Sequence, residues 1–269
     1  MKSLINTVNP HLLHSYPFLI GLFCIMLSSC ATSVKVQNPY GHIGDQQVVE
    51  ILQKSFSTLG GLDNWQNKKT LKYRKHTTLY LESGAVERDI KQQHDYVYQP
   101  KKEINISWKN SKGQEERVTA TDEKIAKYID NKEDLTAKES ALQTSLVTSL
   151  FVVGVPFKML DKGVELSYAG SDKLEDGQVV EVVKAVYNPS TNAHHTTPDT
   201  WWYYFDKNDY RLVGYMVKHD DHYSYVKNME YAKVGSFIFP AKRESYRISS
   251  KREILYLRAK YTYEDWSVL

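Results

Sequence analysis

The sequence predicts an α+β fold: a strongly curved antiparallel sheet of about 10 to 12 strands, an open half-barrel with two lid helices on its concave face. Three observations predict it. From residue 71 onward most of the chain reads as stretches of alternating apolar and polar residues, separated by turns carrying Asp, Asn, Gly or Ser. Twenty tyrosines and five tryptophans suit strands with one dry and one wet face, because a tyrosine ring packs while its hydroxyl reaches water. Only two long segments show helical periodicity, too few for the crossovers of a parallel sheet. A sheet of this length must curl or split to hide its apolar face, and the two amphipathic helices are its natural cover.

The elements follow in order. Residues 31–44 carry Pro39, Gly41 and Gly44 without periodicity and read as a tether. Asp45 caps a helix to about Leu59, with Val48, Val49, Leu52, Phe56 and Leu59 on one face. Gly60–Gly61 ends it in a left-handed cap, and a turn with Leu62 and Trp65 follows. Strands are expected at 71–81, 90–98, 104–108, 115–121 and 124–130. Thr136 and Glu139 have the spacing of a capping box for a second helix over 137–151, whose stripe is Leu142, Leu146, Val147, Leu150 and Phe151. Pro156 stops it, and strands at 163–169, 178–187, 200–206, 210–218, 223–234, 236–248 and 252–265 complete the sheet. With no internal repeat and no second linker, 45–269 reads as a single domain.

Composition narrows the function. The formal charge is +3, and basic and acidic residues are mixed along the chain, without the basic patch that nucleic-acid binding needs. The leader, 1–29, contains one charge, Lys2, and an apolar stretch from Leu12 to Leu27 that is short for a membrane span. Leu27-Ser28-Ser29-Cys30 resembles the lipobox of bacterial lipoprotein precursors, in which a peptidase cuts before the cysteine and the thiol carries the lipid. That resemblance implies a signal peptide over 1–29, and acyl chains of the palmitate kind on Cys30 as the partner of a membrane, followed by the tether to residue 44. Ala31 in place of aspartate favours the outer membrane under the enterobacterial sorting rule, with the domain facing the periplasm. The two cysteines are Cys24 and Cys30, so the domain itself has no disulfide, thiol nucleophile or thiolate metal site.

Four further segments carry a wider resemblance: LGGLDNWQNKKTLKY (59–73), VPFKMLDKGVELSYAG (155–170), WWYYFDKNDYRLVGYMV (201–217) and VGSFIFPAKRESY (234–246). Together with the strand order they resemble the LolA/LolB-like lipoprotein-localisation fold, and most closely a family of uncharacterised bacterial lipoproteins sharing it. The resemblance implies an open barrel whose cavity, under a helical lid, holds an acyl chain or lipoprotein ligand, in a monomer without a cofactor.

Alternation alone selects Leu79, Ile106, Trp108, Leu146, Leu150, Phe151, Trp202 and Tyr204 as candidate lining residues, with either face of each strand open as the inner one. The chemistry of metal sites points instead to His219-Asp220-Asp221-His222, with His194-His195 and Asp199 nearby, although the spacing matches no zinc signature. No nucleophile elbow or phosphate loop is present. The leading expectation is a non-enzymatic, lipid-anchored carrier. The alternatives are an interaction module of the outer membrane and a metal-dependent hydrolase using His219 and His222.

Overall fold

The computed structural model describes residues 38–188, 190–191 and 199–269. Cys30, His194 and His195 lie outside the described residues. Helix α1 spans Gln46–Thr58 and α2 Leu62–Asn67. Strands β1 (Thr70–Tyr80), β2 (Val86–Val97), β3 (Glu103–Lys109), β4 (Glu115–Thr121), β5 (Ile125–Ile129) and β6 (Lys132–Glu133) precede α3 (Glu139–Gly154) and a 3₁₀ turn at Phe157–Leu160. Strands β7 (Val164–Lys173), β8 (Val179–Tyr187), β9 (Thr200–Asp206), β10 (Leu212–Lys218), β11 (Tyr223–Val234), β12 (Phe237–Ile248) and β13 (Ile254–Val268) follow.

All thirteen strands form one antiparallel sheet in the order β6-β5-β4-β3-β2-β1-β13-β12-β11-β10-β9-β8-β7. The sheet is not closed. The chain enters at the centre with β1, meanders to the β6 edge, and restarts at the opposite edge with β7. It then meanders back until β13 pairs with β1. The segment holding α3 therefore carries the chain from one edge of the sheet to the other, and this single long connection positions the helix.

The helices bury their apolar residues in one cluster with one face of the sheet. Val48, Ile51, Leu52 and Phe56 of α1, Trp65 of α2 and Leu146, Phe151 and Val153 of α3 join Tyr73, Tyr96, Tyr203 and Tyr263 there. The opposite face carries a second, smaller cluster of Val180, Val182, Tyr204, Val213, Met216 and Ile248. Strand β9 shows the division: Trp201, Tyr203 and Phe205 belong to the helix-side cluster and Tyr204 to the other, as the two-residue period of a strand requires.

The N-cap of α1 is Asp45, as its position predicts. One carboxylate oxygen accepts the Gln47 N–H at 3.0 Å, and the other accepts the Tyr168 N–H of β7 at 2.8 Å. These bonds, that from Tyr168 foremost, hold the carboxyl below the usual range and stitch α1 to the sheet. The capping box at Thr136 does not form. Thr136 donates its hydroxyl to Asp134 at 2.6 Å, its N–H goes to the same carboxylate, and α3 begins at Glu139 after Lys138. Aspartate two residues upstream offers a tighter local turn and outcompetes the box. Leu62–Asn67, which reads as a turn, forms a short helix that buries Trp65.

One buried group makes stability depend on pH. His94 is fully buried, stacks on Tyr73 at 4.6 Å and shares a hydrogen bond at 3.2 Å between Nδ1 and the Tyr96 hydroxyl. Its Nε2 has no partner, so protonation would leave a buried N–H without an acceptor. Burial, then the nearby Lys75 cation, lowers its pKa to about 3. Between that value and the ordinary histidine range the unfolded chain binds the extra proton. His94 therefore favours folding fully above the ordinary range, and this contribution is lost as pH falls. Between pH 7 and pH 5 the native chain is expected to lose about 2 kcal/mol more than His94→Phe. Urea denaturation at the two pH values measures this; equal losses would mean that His94 titrates normally in the folded state.

Candidate functional site: a cavity beneath helix α3

A cavity of about 330 Å³ lies between α3 and the sheet. Helix α3 contributes Thr144, Ser145, Thr148, Ser149 and Val152. These residues recur at i, i+1, i+4 and i+5, which places them along one side of the helix. The sheet contributes Lys75 of β1, Tyr215 of β10, Val226 of β11, Arg243 of β12, and Tyr261 and Tyr263 of β13. Register brings the sheet residues together. Lys75 pairs with Tyr263 and Arg243 with Tyr261, and directly opposed residues share a face of an antiparallel sheet.

Arg243 is nearly fully buried. Its Nε donates to Asn228 Oδ1 at 2.9 Å and its Nη1 to the Val152 carbonyl of α3 at 2.6 Å. The guanidinium lies 5.4 Å from the Tyr263 ring centre and the Lys75 ammonium 6.0 Å from the same ring. Lys75 also lies 5.1 Å from the Tyr261 ring. The wall is thus apolar and aromatic with two cations and a row of hydroxyls.

The residues selected by alternation are divided by this geometry. Leu146, Phe151 and Ile106 are buried in the helix-side core, and Leu150 and Trp108 pack partly buried against it. Leu79 is half-buried near the end of β1, on the face of Lys75 and paired with Ala259. Trp202 and Tyr204 belong to the opposite face, where Tyr204 helps line a groove of about 440 Å³ with Met216, Tyr225, Tyr246 and Ile248. Of the residues that line the cavity, Lys75, Arg243 and the Ser/Thr side of α3 are polar. A search for apolar periodicity passes over them; the i, i+4 spacing of Thr144 and Thr148 is the one sequence signal that marks them.

The histidine cluster is partly assembled. The pairing of Lys218 with Thr200 brings the preceding Asp199 to His219, with Oδ2 3.2 Å from Nδ1. His222 Nδ1 meets Asp221, and the two rings lie 4.5 Å apart. Burial foremost lowers the pKa of His219, with Asp199 opposing. Among the described residues, no group of three or more His, Cys, Asp or Glu side chains is arranged to hold a metal ion.

Comparison with known proteins gives the fold a relative. No family model matches the chain, and no curated protein matches it. A LolA superfamily protein from Nitrosomonas europaea superposes with a TM-score of 0.50 at 5% identity, over 81% of this chain and 92% of the other. The fold is LolA-like. A DUF1329 family protein from Desulfovibrio piger is similar at a TM-score of 0.46 and 8% identity, over 77% of this chain and 87% of the other. The lipoprotein LppX from Mycobacterium tuberculosis is similar at 0.33 and 14%, over 82% and 96%. These two, with their lower scores, add nothing to the assignment. In the LolA-like fold found here, the cavity lies between the edge-to-edge connection and the sheet.

Proposed function

We propose that the chain is a lipid-anchored lipoprotein of the cell envelope that carries an acyl-like ligand beneath α3, which acts as its lid. The observation that carries this reading is the cavity between α3 and the sheet. Its volume lies near the lower end of the range for small-molecule sites and suits one hydrocarbon chain. Sequestration is driven by apolar burial, about 25 cal/mol per Å². The LolA-like fold is consistent with this use, and the lipobox-like Leu27–Cys30 supplies an anchor through acylated Cys30. The domain would face the periplasm from the outer membrane, as a monomer and without catalysis.

Native mass spectrometry with lipid extraction, on the chain purified from an envelope fraction, tests the reading. A co-purifying lipid or acylated peptide that leaves on denaturation is the expected result. Val152→Asp, which puts a charge on the cavity wall, is expected to abolish this retention while the far-UV circular dichroism of the sheet persists. A second reading rests on the groove of Tyr204, Met216, Tyr225, Tyr246 and Ile248 on the helix-free face, a surface for another envelope protein. Bare mass without lipid, together with a stable partner on pull-down, would favour that reading.

A further inference from the structure

Arg243 poses a problem of charge. It is 2% exposed, and burying a cation is costly unless an anion faces it. Its hydrogen bonds go to two neutral acceptors, Asn228 Oδ1 and the Val152 carbonyl, and its Nη2 has no bond among the described residues. Lys75, on the same cavity wall, has aromatic rings as its neighbours. Among the described residues neither cation has a carboxylate within ion-pair distance, whereas Arg74, Arg211, Arg252 and Arg258 each meet an Asp or Glu. The hydroxyls of Ser145, Thr148 and Ser149 of α3 line the same space and add donors. Two cations sharing one tyrosine ring, with a row of hydroxyls opposite, make a poor wall for a purely hydrocarbon ligand. They make a good one for an anion.

We infer that the cavity takes a single-chain amphiphile with an anionic head, a carboxylate or phosphate, held between Lys75 and Arg243. This rests on the carrier reading and specifies its ligand. The hydroxyl of Thr148 completes the head-group shell; that of Thr144 donates instead to the Ser140 carbonyl at 2.9 Å. The chain lies along Val152, Val226 and Tyr215, where the wall is apolar. Charge-assisted bonds to carboxylate or phosphate are about twice as strong as neutral ones, and a partner that is already desolvated strengthens them further.

Isothermal titration calorimetry of the purified, delipidated full chain with dodecanoate, dodecyl phosphate and dodecan-1-ol, each below its micellar concentration, tests the inference. Both anions are expected to bind about tenfold or more tightly than the alcohol, and the better anion identifies the head group. Lys75 is only half-buried, so Lys75→Gln should fold; it is expected to shrink the anion-to-alcohol ratio several-fold. Arg243→Lys, which keeps the charge, should retain more of the ratio than Arg243→Gln. Lys260→Gln removes a charge from an exposed position of β13 and should leave the ratio intact. Equal affinity for all three ligands, or a ratio indifferent to Lys75→Gln, would overturn the inference while leaving the carrier reading in place. Absence of binding by all three, alcohol included, would overturn both.

Discussion

Replacing Phe157 with alanine is expected to lower the unfolding free energy by about 4 kcal/mol. Phe157 is almost fully buried in the turn after α3, where it lies between two rings of other helices. Phe56 of α1 stacks on one side at 5.0 Å and Trp65 of α2 on the other at 4.8 Å, with interplanar angles of 22° and 9°. Trp65 meets Phe237 edge-on, Phe237 stacks on Phe239, and Phe239 stacks on Trp266 of β13 at 4.4 Å. One aromatic row thus couples α1, α2 and the 3₁₀ turn after α3 to the sheet. Removing its central ring opens a cavity that three separate backbones would have to close, and partial relaxation leaves most of the lost contact uncompensated. Phe157→Leu, which keeps much of the volume, is expected to cost less than half as much. Urea denaturation measures both; a loss below about 1 kcal/mol for the alanine variant would mean that the helices do not depend on this row.

The second large effect is expected at Gly60, where alanine should cost about 3 kcal/mol. Its φ of +114° is one that L side chains rarely adopt. An added Cβ would also lie 2.7 Å from the Ser236 carbonyl oxygen and 2.9 Å from Phe237 Cα, both backbone atoms of the β11–β12 hairpin. No rotamer change relieves such a clash; either the hairpin or the end of α1 must move. The hairpin's start also supplies Phe237 to the aromatic row, so a shift there would be felt at Trp65. A fall in thermal midpoint, with the helical signal lost together with the sheet, is the expected observation. Gly60→Ala with an unchanged midpoint would show that the turn can relax at no cost.

Sequence and structure agree most closely where a rule is local. Asp45 caps α1 because a short carboxylate before an apolar helical stripe has N–H groups within reach, and Gly60–Gly61 ends it because the chain must turn at positive φ. Strands β3 and β7 follow the two-residue period of burial, whereas β10 is buried on both faces. The end of β9 is equally local: Asp206 accepts the N–H groups of Asn208 and Asp209 and turns the chain toward β10. Strand β10 begins at Leu212, after Tyr210, which has φ of +58°. The capping box at Thr136 misleads for a local reason too, since two short-range motifs compete for one hydroxyl.

The site was legible in a different measure. Helical periodicity marks Leu146 and Phe151 as buried, which they are, but burial and cavity lining are opposite roles for a side chain. The side of α3 that meets open space is the Ser/Thr side, and apolar patterning is blind to it. On β9, alternation shows that Trp201 and Trp202 face opposite ways and cannot say which way is toward the helices, because both faces of this part of the sheet are covered by apolar clusters. Local patterns in the chain specify the alternation of the strands, the caps of α1, the absence of thiol chemistry from the domain, and the α+β class. Long-range pairing alone sets which two edges of the sheet α3 connects. It also decided that Lys75 and Arg243 face one cavity across β13, and that Asp199 meets His219. Each of these depends on register and on the order of strands in the sheet, and strand pairing is set by contacts between residues far apart in the chain, which no short-range period encodes.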